Sequence, residues 1–229
     1  LKGIKVAREM FDVPNIAVFD TAFFQSLPNE SATYALNRDV AEKYQIRRYG
    51  AHGTSHQFVS GAVSELLGRD DLKQIVLHLG NGASASAVVA GKAVDTSMGL
   101  TPLEGLVMGT RTGDIDPAAV FHLSREAGMS TDEIDTLFNK QSGLKGLAGD
   151  NDMRQVRALA AAGDPHATEA LEVYVHRLLH YVGAYTAVMG GLDAITFTAG
   201  AGENDADLRA EVCARLTPFG VKLDLEKNA

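Results

Sequence analysis

The sequence predicts an α/β fold, a mixed sheet with an antiparallel three-strand meander flanked by helices. Residues 75–79, 83–89 and 92–96 form apolar or alternating runs separated only by Gly80-Asn81-Gly82 and Ala90-Gly91, connections too short for anything but hairpins. Around them strand and helix signals alternate. The longest helical signal covers 165–189 and sets Leu171, Val175, Leu178, Val182 and Met189 on one stripe. With 229 residues and 45% apolar side chains, the chain can bury a core as one large domain or as one domain with pieces of another.

Taken in order, residues 16–19 read as a short buried strand leading into "DTAFFQSLP", and 47–50 as another leading into "AHGTSH". Thr54-Ser55-His56-Gln57 has the form of a capping box. The helix it opens stacks Phe58, Ala62 and Leu66, and Val59, Val63 and Leu67, at spacing four and ends at Gly68. After the meander, Asp116-Pro117 begins a helix as N-cap and first-turn proline, and Ser130-Thr131-Asp132-Glu133 begins another. Gly190-Gly191 stops the long helix, 194–198 is a buried strand ending in the loop "AGAGEN", and a last helix covers about 205–216. "LKGIKVAREMFDVPN" starts without a cap and "FGVKLDLEKNA" stops as a strand develops, so both ends read as cut. No internal repeat, linker or low-complexity tract interrupts the chain.

A net charge of -8 argues against a nucleic-acid groove or an anionic membrane surface as the main partner. A small anionic ligand would be held locally, by backbone amides and a few placed cations. The single cysteine, Cys213, excludes an internal disulfide framework and fits a reducing compartment. The apolar stretches fall short of the roughly 20 residues of a membrane span and no signal peptide precedes residue 20, which gives a cytoplasmic expectation.

Three glycine-rich stretches follow strands, and none supplies a Walker A loop. Gly80 to Ala85 fits G-x-G-x-x-A, but it leads into a strand where a dinucleotide fingerprint must open a helix. Two readings of Gly80-Asn81-Gly82 stand. It is an ordinary type I′ turn, for which Asn-Gly is the preferred pair, or a place where bare backbone amides meet phosphate oxygens. "FTAGAGEN" puts a glycine pair between strand and helix, the arrangement that brings a helix N-terminus to a ligand. The third stretch, residues 96–117, has four glycines and one cation, Arg111. Such an arginine either meets a phosphoryl group bidentately or pairs with Asp114 or Asp116 at the surface. His52 and His56 have zinc-helix spacing without the glutamate of H-E-x-x-H, so a hydrogen-bonding role for His52 is better motivated. His176 and His180 repeat the spacing inside the long helix, where satisfied structural histidines are expected, and Cys213 is expected to be buried packing.

Together these stretches resemble the acetate kinase family. "VFDTAFFQSLP", "YGAHGTSH", "HLGNGAS", "VDTSMGLTPLEGLVMGTRTGDIDP", "DMR" and "FTAGAGEN" stand in that family's order and near its spacing, across essentially the whole chain. The resemblance implies an actin, sugar kinase and Hsp70-type (ribonuclease H-like) fold in which two duplicated domains close over ATP. Residues 1–28 would be a remnant of the first domain and 29–229 the second, nucleotide-binding one. It further implies Asp20 as catalytic carboxylate, with His52 and Arg111 on the phosphoryl group. His78, Leu79, Gly80, Asn81 and Gly82 would form the phosphate hairpin. Asp152, Met153 and Arg154 would flank the adenosine, and Gly200, Ala201, Gly202, Glu203 and Asn204 would close under it. Ala51 and Pro102 would line the acyl pocket.

The chemistry so implied is reversible transfer of the γ-phosphoryl group of ATP to acetate, giving acetyl phosphate and ADP, with Mg²⁺ or Mn²⁺ and a homodimeric assembly. The metal ligands are left unassigned. Asp20 would orient a metal-bound water or Arg111. The family's N-terminal phosphate segment, an upstream substrate arginine and a C-terminal metal-serving glutamate have no counterpart here, so this chain alone is expected to be inactive. Ala51 stands where many members have Phe, which would enlarge the acyl pocket and leaves propionate or butyrate as alternative acceptors; Ala201, where many have Ile, would be a minor change under the nucleotide. The other readings are a truncated, non-catalytic nucleotide-binding module and an Hsp70-like or actin-like ATPase, the latter opposed by the loop around Arg111.

Overall fold

The antiparallel meander forms as expected. In the computed structural model, which describes residues 2–229, strands β1 (Lys73–Leu79), β2 (Ala83–Val89) and β3 (Lys92–Thr96) run antiparallel, and β4 (Ala194–Thr198) pairs parallel with β1, giving the order β3-β2-β1-β4. The small alternating side chains of β2 serve two faces at once. Ala83, Ala85 and Ala87 join the main core, while Ser84 and Ser86 are just as fully buried on the other side.

The helices are α1 (Lys2–Met10), α2 (Asn29–Ala32), α3 (Arg38–Tyr44), α4 (Gly53–Leu67), α5 (Ala118–Glu126) and α6 (Thr131–Lys140). They continue with α7 (Gly143–Ala148), α8 (Met153–Ala161), α9 (Pro165–Met189), α10 (Ala199–Asn204), α11 (Ala206–Arg215) and α12 (Leu225–Asn228). Helix α9 has the predicted bounds. Asp164 caps it, Pro165 opens it and left-handed Gly190 ends it, while Val175, Leu178, Val182 and Met189 are buried and Leu171 lies at the edge of the same core. Helix α6 begins behind Ser130 as expected, through a capping box between Ser130 and Glu133, and Asp116 accepts the Ala118 N–H at the start of α5.

Helix α4 departs from the sequence reading. It begins at Gly53, and its N-terminal residue His52 lies at φ +59 with no side-chain cap. Asp20 caps it from outside: its carboxylate accepts the His52 N–H at 2.7 Å and its carbonyl accepts the Gly53 N–H at 2.7 Å. The apolar stripe faces outward, with Phe58 75% and Leu66 82% exposed, whereas His56 and Ser60 are buried. The reason lies in the sheet face beneath, which presents Ser84, Ser86 and Gln74. Gln74 donates to the Ser60 carbonyl and the Ser64 hydroxyl, so polar side chains find partners there that apolar ones could not use.

Neither predicted early strand forms. Residues 16–19 are exposed and have no neighbouring strand to bond, and α1 buries no residue. Residues 48–50 make isolated backbone bonds to Ala32 and Gly99 in place of a ladder. Phe24 and Leu27 pack with Ala32 and Ala93, which attaches 20–28 to the same body as the residues that follow. "AGAGEN" is helix α10, not a loop, and β4 is only half-buried because it is an edge strand with β1 on one side. His176 and His180 are exposed on α9 with ring centroids 5.7 Å apart, so they are not satisfied core histidines. Cys213 is buried, and burial pushes its thiol pKa up. Among the described residues, no helix is long and apolar enough to cross a membrane.

Candidate active site

The Gly80-Asn81-Gly82 connection is not a type I′ turn. That turn needs positive φ at both central residues, and neither Asn81 nor either glycine lies there. The glycines supply space. A Cβ on Gly82 would sit 3.5 Å from Arg111 Nη1 and 3.5 Å from His52 Nε2, so two elements far apart in sequence bring a cation and an imidazole to one backbone. The Gly80 N–H donates to the Gly82 carbonyl, whereas the Asn81 and Gly82 amides donate to no backbone carbonyl among the described residues.

Beneath the hairpin lies a histidine network. The His52 and His78 rings stack at 4.2 Å, and His78 Nδ1 meets the Ser55 hydroxyl at 2.8 Å. Ser55 therefore orients a site histidine, a contact that the capping-box reading of Thr54 to Gln57 did not include. His52 Nδ1 lies 2.8 Å from Ser84 Oγ, which also meets His56 Nε2 at 2.7 Å, and His56 Nδ1 meets Ser86 Oγ at 2.7 Å. With both His56 nitrogens engaged by hydroxyls, the paired-histidine zinc arrangement has no ligand atom left on that ring. Burial pushes the His56 pKa down to about 3, and burial with the neighbouring His52 pushes His78 down to about 4. His52 is lowered as well, by burial first; Asp20 opposes the shift and Arg111 adds to it.

The Arg111 loop is ordered by close packing, not left free by its glycines. Leu106, Val107 and Met108 are buried, the Leu144 N–H donates to the Met108 carbonyl, and the Lys145 N–H donates to the Gly109 carbonyl, both at 2.9 Å. Gly109 is bare because Asn81 presses against it: a Cβ there would fall 2.1 Å from Asn81 Oδ1. Arg111 makes no ion pair among the described residues, which removes the pairing with Asp114 or Asp116. Its Nη1 donates to the Pro102 carbonyl at 3.2 Å. Asp114 instead accepts from the Gly105 N–H and the Tyr181 hydroxyl and pairs with Arg177. Asp20 does not reach Arg111; its carboxylate is used on α4.

A cavity of about 720 Å³ opens beside the hairpin, within the size range of small-ligand sites. Gly80 and Asn81 form one wall, Asp152, Met153 and Arg154 at the start of α8 another, and Gly200, Ala201 and Asn204 of α10 a third. The sequence did not single out Arg157, Tyr174, Asp205, Ala206 or Asp207, which also line it. The Arg157–Asp205 ion pair at 2.6 Å ties α8 to α11, a contact between residues 48 apart that no local pattern encodes. Five residues expected at the nucleotide, His78, Leu79, Gly82, Gly202 and Glu203, do not line the cavity; His78 belongs to the histidine network and Gly82 faces Arg111 and His52. Gly202 is buried where a Cβ would lie 3.2 Å from the Phe197 carbonyl carbon, so it permits α10 to sit on β4. Leu79 is core, and Glu203 accepts from the Thr198 hydroxyl and the Ala199 N–H. Ala51 is buried next to His52 and Pro102 is exposed; neither lines this cavity.

A model of the family described as the acetokinase family matches residues 1–229. The chain belongs to the acetokinase family. Acetate kinase from Leifsonia xyli subsp. xyli is 62% identical over 232 residues, covering 100% of this chain and 58% of that protein. Acetate kinase from Streptomyces avermitilis is 57% identical, with 100% and 57% covered. Among solved structures, a propionate kinase from Francisella tularensis subsp. tularensis SCHU S4 superposes with a TM-score of 0.96 at 48% identity, over 99% of this chain and 59% of that one. Porphyromonas gingivalis acetate kinase does so with a TM-score of 0.94 at 43% identity, over 99% and 58%. The chain thus spans about 58% of the length of the curated relatives it matches, and the acetokinase fold is shared across its whole described length.

For a divalent cation, the described residues of this acetokinase chain contain no cluster of three or more His, Cys, Asp or Glu side chains that could cage one. Asp20 keeps one carboxylate oxygen without a partner among the described residues. That suits the arrangement in which Mg²⁺ is shared between substrate phosphates and one or two carboxylates.

Proposed function

We propose that this chain carries the nucleotide-binding side of an acetate kinase, which transfers the γ-phosphoryl group of ATP to acetate and gives acetyl phosphate and ADP. The observation that carries the reading is the convergence of Arg111 Nη1 and His52 Nε2 on Gly82, at the edge of the cavity walled by Gly80 and Asn81. The adenosine lies among Asp152, Met153, Arg154, Gly200 and Ala201, and the free Asn81 and Gly82 amides hold the phosphates. An acetate oxygen attacks the γ-phosphorus while the bond to the β,γ-bridging oxygen breaks, its electron pair leaving on ADP. The carboxylate nucleophile is already ionised near pH 7, so no strong base is needed. Arg111 neutralises charge on the equatorial oxygens and His52 donates a hydrogen bond to them. Mg²⁺, or Mn²⁺ in its place, would sit by Asp20 and supply further charge neutralisation when bound.

Propionate as acceptor is a second reading, favoured by the small Ala51 beside His52 and by the superposition on the Francisella propionate kinase. The exposed Phe58 and Leu66 of α4 support self-association as a homodimer, and the single cysteine and net charge of -8 support a cytoplasmic setting without nucleic-acid or membrane partners. The test is a nucleotide titration followed by a coupled assay with acetate, propionate and butyrate. The 229 residues are expected to bind ADP or ATP weakly and to make no detectable acyl phosphate, and a chain completed to its relatives' length is expected to prefer acetate. A folded chain with no nucleotide affinity sinks the reading, and turnover near one per second or faster from the 229 residues overturns the expectation that other segments are needed.

A further inference from the structure

The histidine network beneath the hairpin admits one arrangement of protons that uses them all. Ser84 and Ser86 are fully buried, and each has a single hydroxyl proton. The Ser86 hydroxyl has only His56 Nδ1 as a partner among the described residues, so it donates there. A neutral His56 accepting at Nδ1 must carry its own proton on Nε2, which it then donates to Ser84 Oγ. The Ser84 proton is left with one acceptor, His52 Nδ1 at 2.8 Å. Every other assignment strands at least one buried hydroxyl proton or sets two lone pairs against each other, and an unsatisfied buried donor costs about 1–3 kcal/mol. Burial keeps His56 neutral, with its pKa pushed down to about 3.

We propose that the Ser86–His56–Ser84 chain fixes His52 as its Nε2–H tautomer, so that a neutral His52 presents a hydrogen-bond donor beside Arg111. Ser84 and Ser86 are then positioning residues, acting on the phosphoryl group only through His52. The consequence for catalysis rests on the kinase reading; the tautomer does not. A neutral imidazole that must accept from Ser84 on one side can only donate on the other, which gives a directed donor without a second full cation next to the guanidinium.

The experiment is two-bond ¹H–¹⁵N correlation spectroscopy of the ¹⁵N-histidine-labelled chain at neutral pH without nucleotide. His52 and His56 are both expected to show a protonated Nε2 and a lone-pair Nδ1, as single tautomers. Ser86→Ala, which does not touch His52, is expected to move both His52 nitrogens toward the average of the two tautomers, and Ser86→Thr to restore them. A His52 proton on Nδ1 in the wild-type chain, or His52 shifts unchanged in a folded Ser86→Ala variant, overturns the proposal. Should that variant not fold, the wild-type tautomers of His52 and His56 alone decide it. Failure of nucleotide binding would remove the catalytic consequence and leave these spectra as they stand.

Discussion

The meander contains two short connections, one of three residues and one of two, that differ in backbone conformation and in surroundings. Ala90 and Gly91 lie at φ +48 and +73, the pattern of a two-residue I′ hairpin; both are exposed, and a Cβ on Gly91 would meet open space. Gly80-Asn81-Gly82 uses no positive φ, lies against Asn151, Gly109, His52 and Arg111, and leaves amides unspent. The residue pair statistically best suited to a I′ turn, Asn-Gly, is thus at the connection that does not make one. Glycine in a hairpin can answer a backbone constraint or a ligand's need for room, and only the φ and the neighbours tell which.

Four changes would break or sharpen this contrast. Arg111→Ala, in a chain of its relatives' length, is expected to lower kcat by about 10³ to 10⁵, about 4–7 kcal/mol, with little change in the Michaelis constant for ATP. A kcat within about tenfold of wild type would take Arg111 out of the mechanism. Gly82→Val fills the space between Arg111 and His52 without backbone strain, and is expected to weaken nucleotide binding by about a hundredfold, about 2.7 kcal/mol, at a nearly unchanged melting temperature. Unchanged affinity would mean that the phosphates do not meet this hairpin.

The third change is pH. The folded-state pKa of His56 is pushed far below its unfolded value, so below about pH 6.5 the unfolded chain binds a proton that the folded chain refuses. Stability is therefore full above that pH and falls as pH drops toward 3, by about 1.4 kcal/mol per unit, or about 2 kcal/mol between pH 6.5 and 5. Urea unfolding across that interval measures it, and a flat profile contradicts the buried neutral histidine. Gly91→Ala is the smallest: its positive φ costs about 1 kcal/mol, and calorimetry should show that loss while nucleotide affinity stays at the wild-type value.

Much of this was legible because it is local. The bounds of α9 follow from Asp164, Pro165 and Gly190, and the register of the meander follows from the two short connections. The site was legible in part. Asp152 to Arg154 and Gly200 to Asn204 were singled out as stretches, yet only the fold separates Gly200, which is open, from Gly202, which packs against Phe197. Arg157 and Asp205 carried no local signal, since their pairing exists only once α8 and α11 are side by side. The apolar spacing of α4 misled: residues at spacing four share a face whether or not that face is the buried one, and here Gln74, Ser84 and Ser86 claim the other.

By itself the sequence determined the chain's class, its meander, the long capped helix, the family to which its motifs belong and the set of residues from which a site could be made. These are properties of composition, period and capping chemistry, which act over a few residues. Tertiary structure alone decided that Asp20 caps α4, that Ser84 serves two histidines, and that Arg111 finds no carboxylate partner among the described residues and lies instead against Gly82. Those outcomes depend on which buried donors and acceptors meet across elements, and a buried polar group goes where its partner is, not where local sequence points.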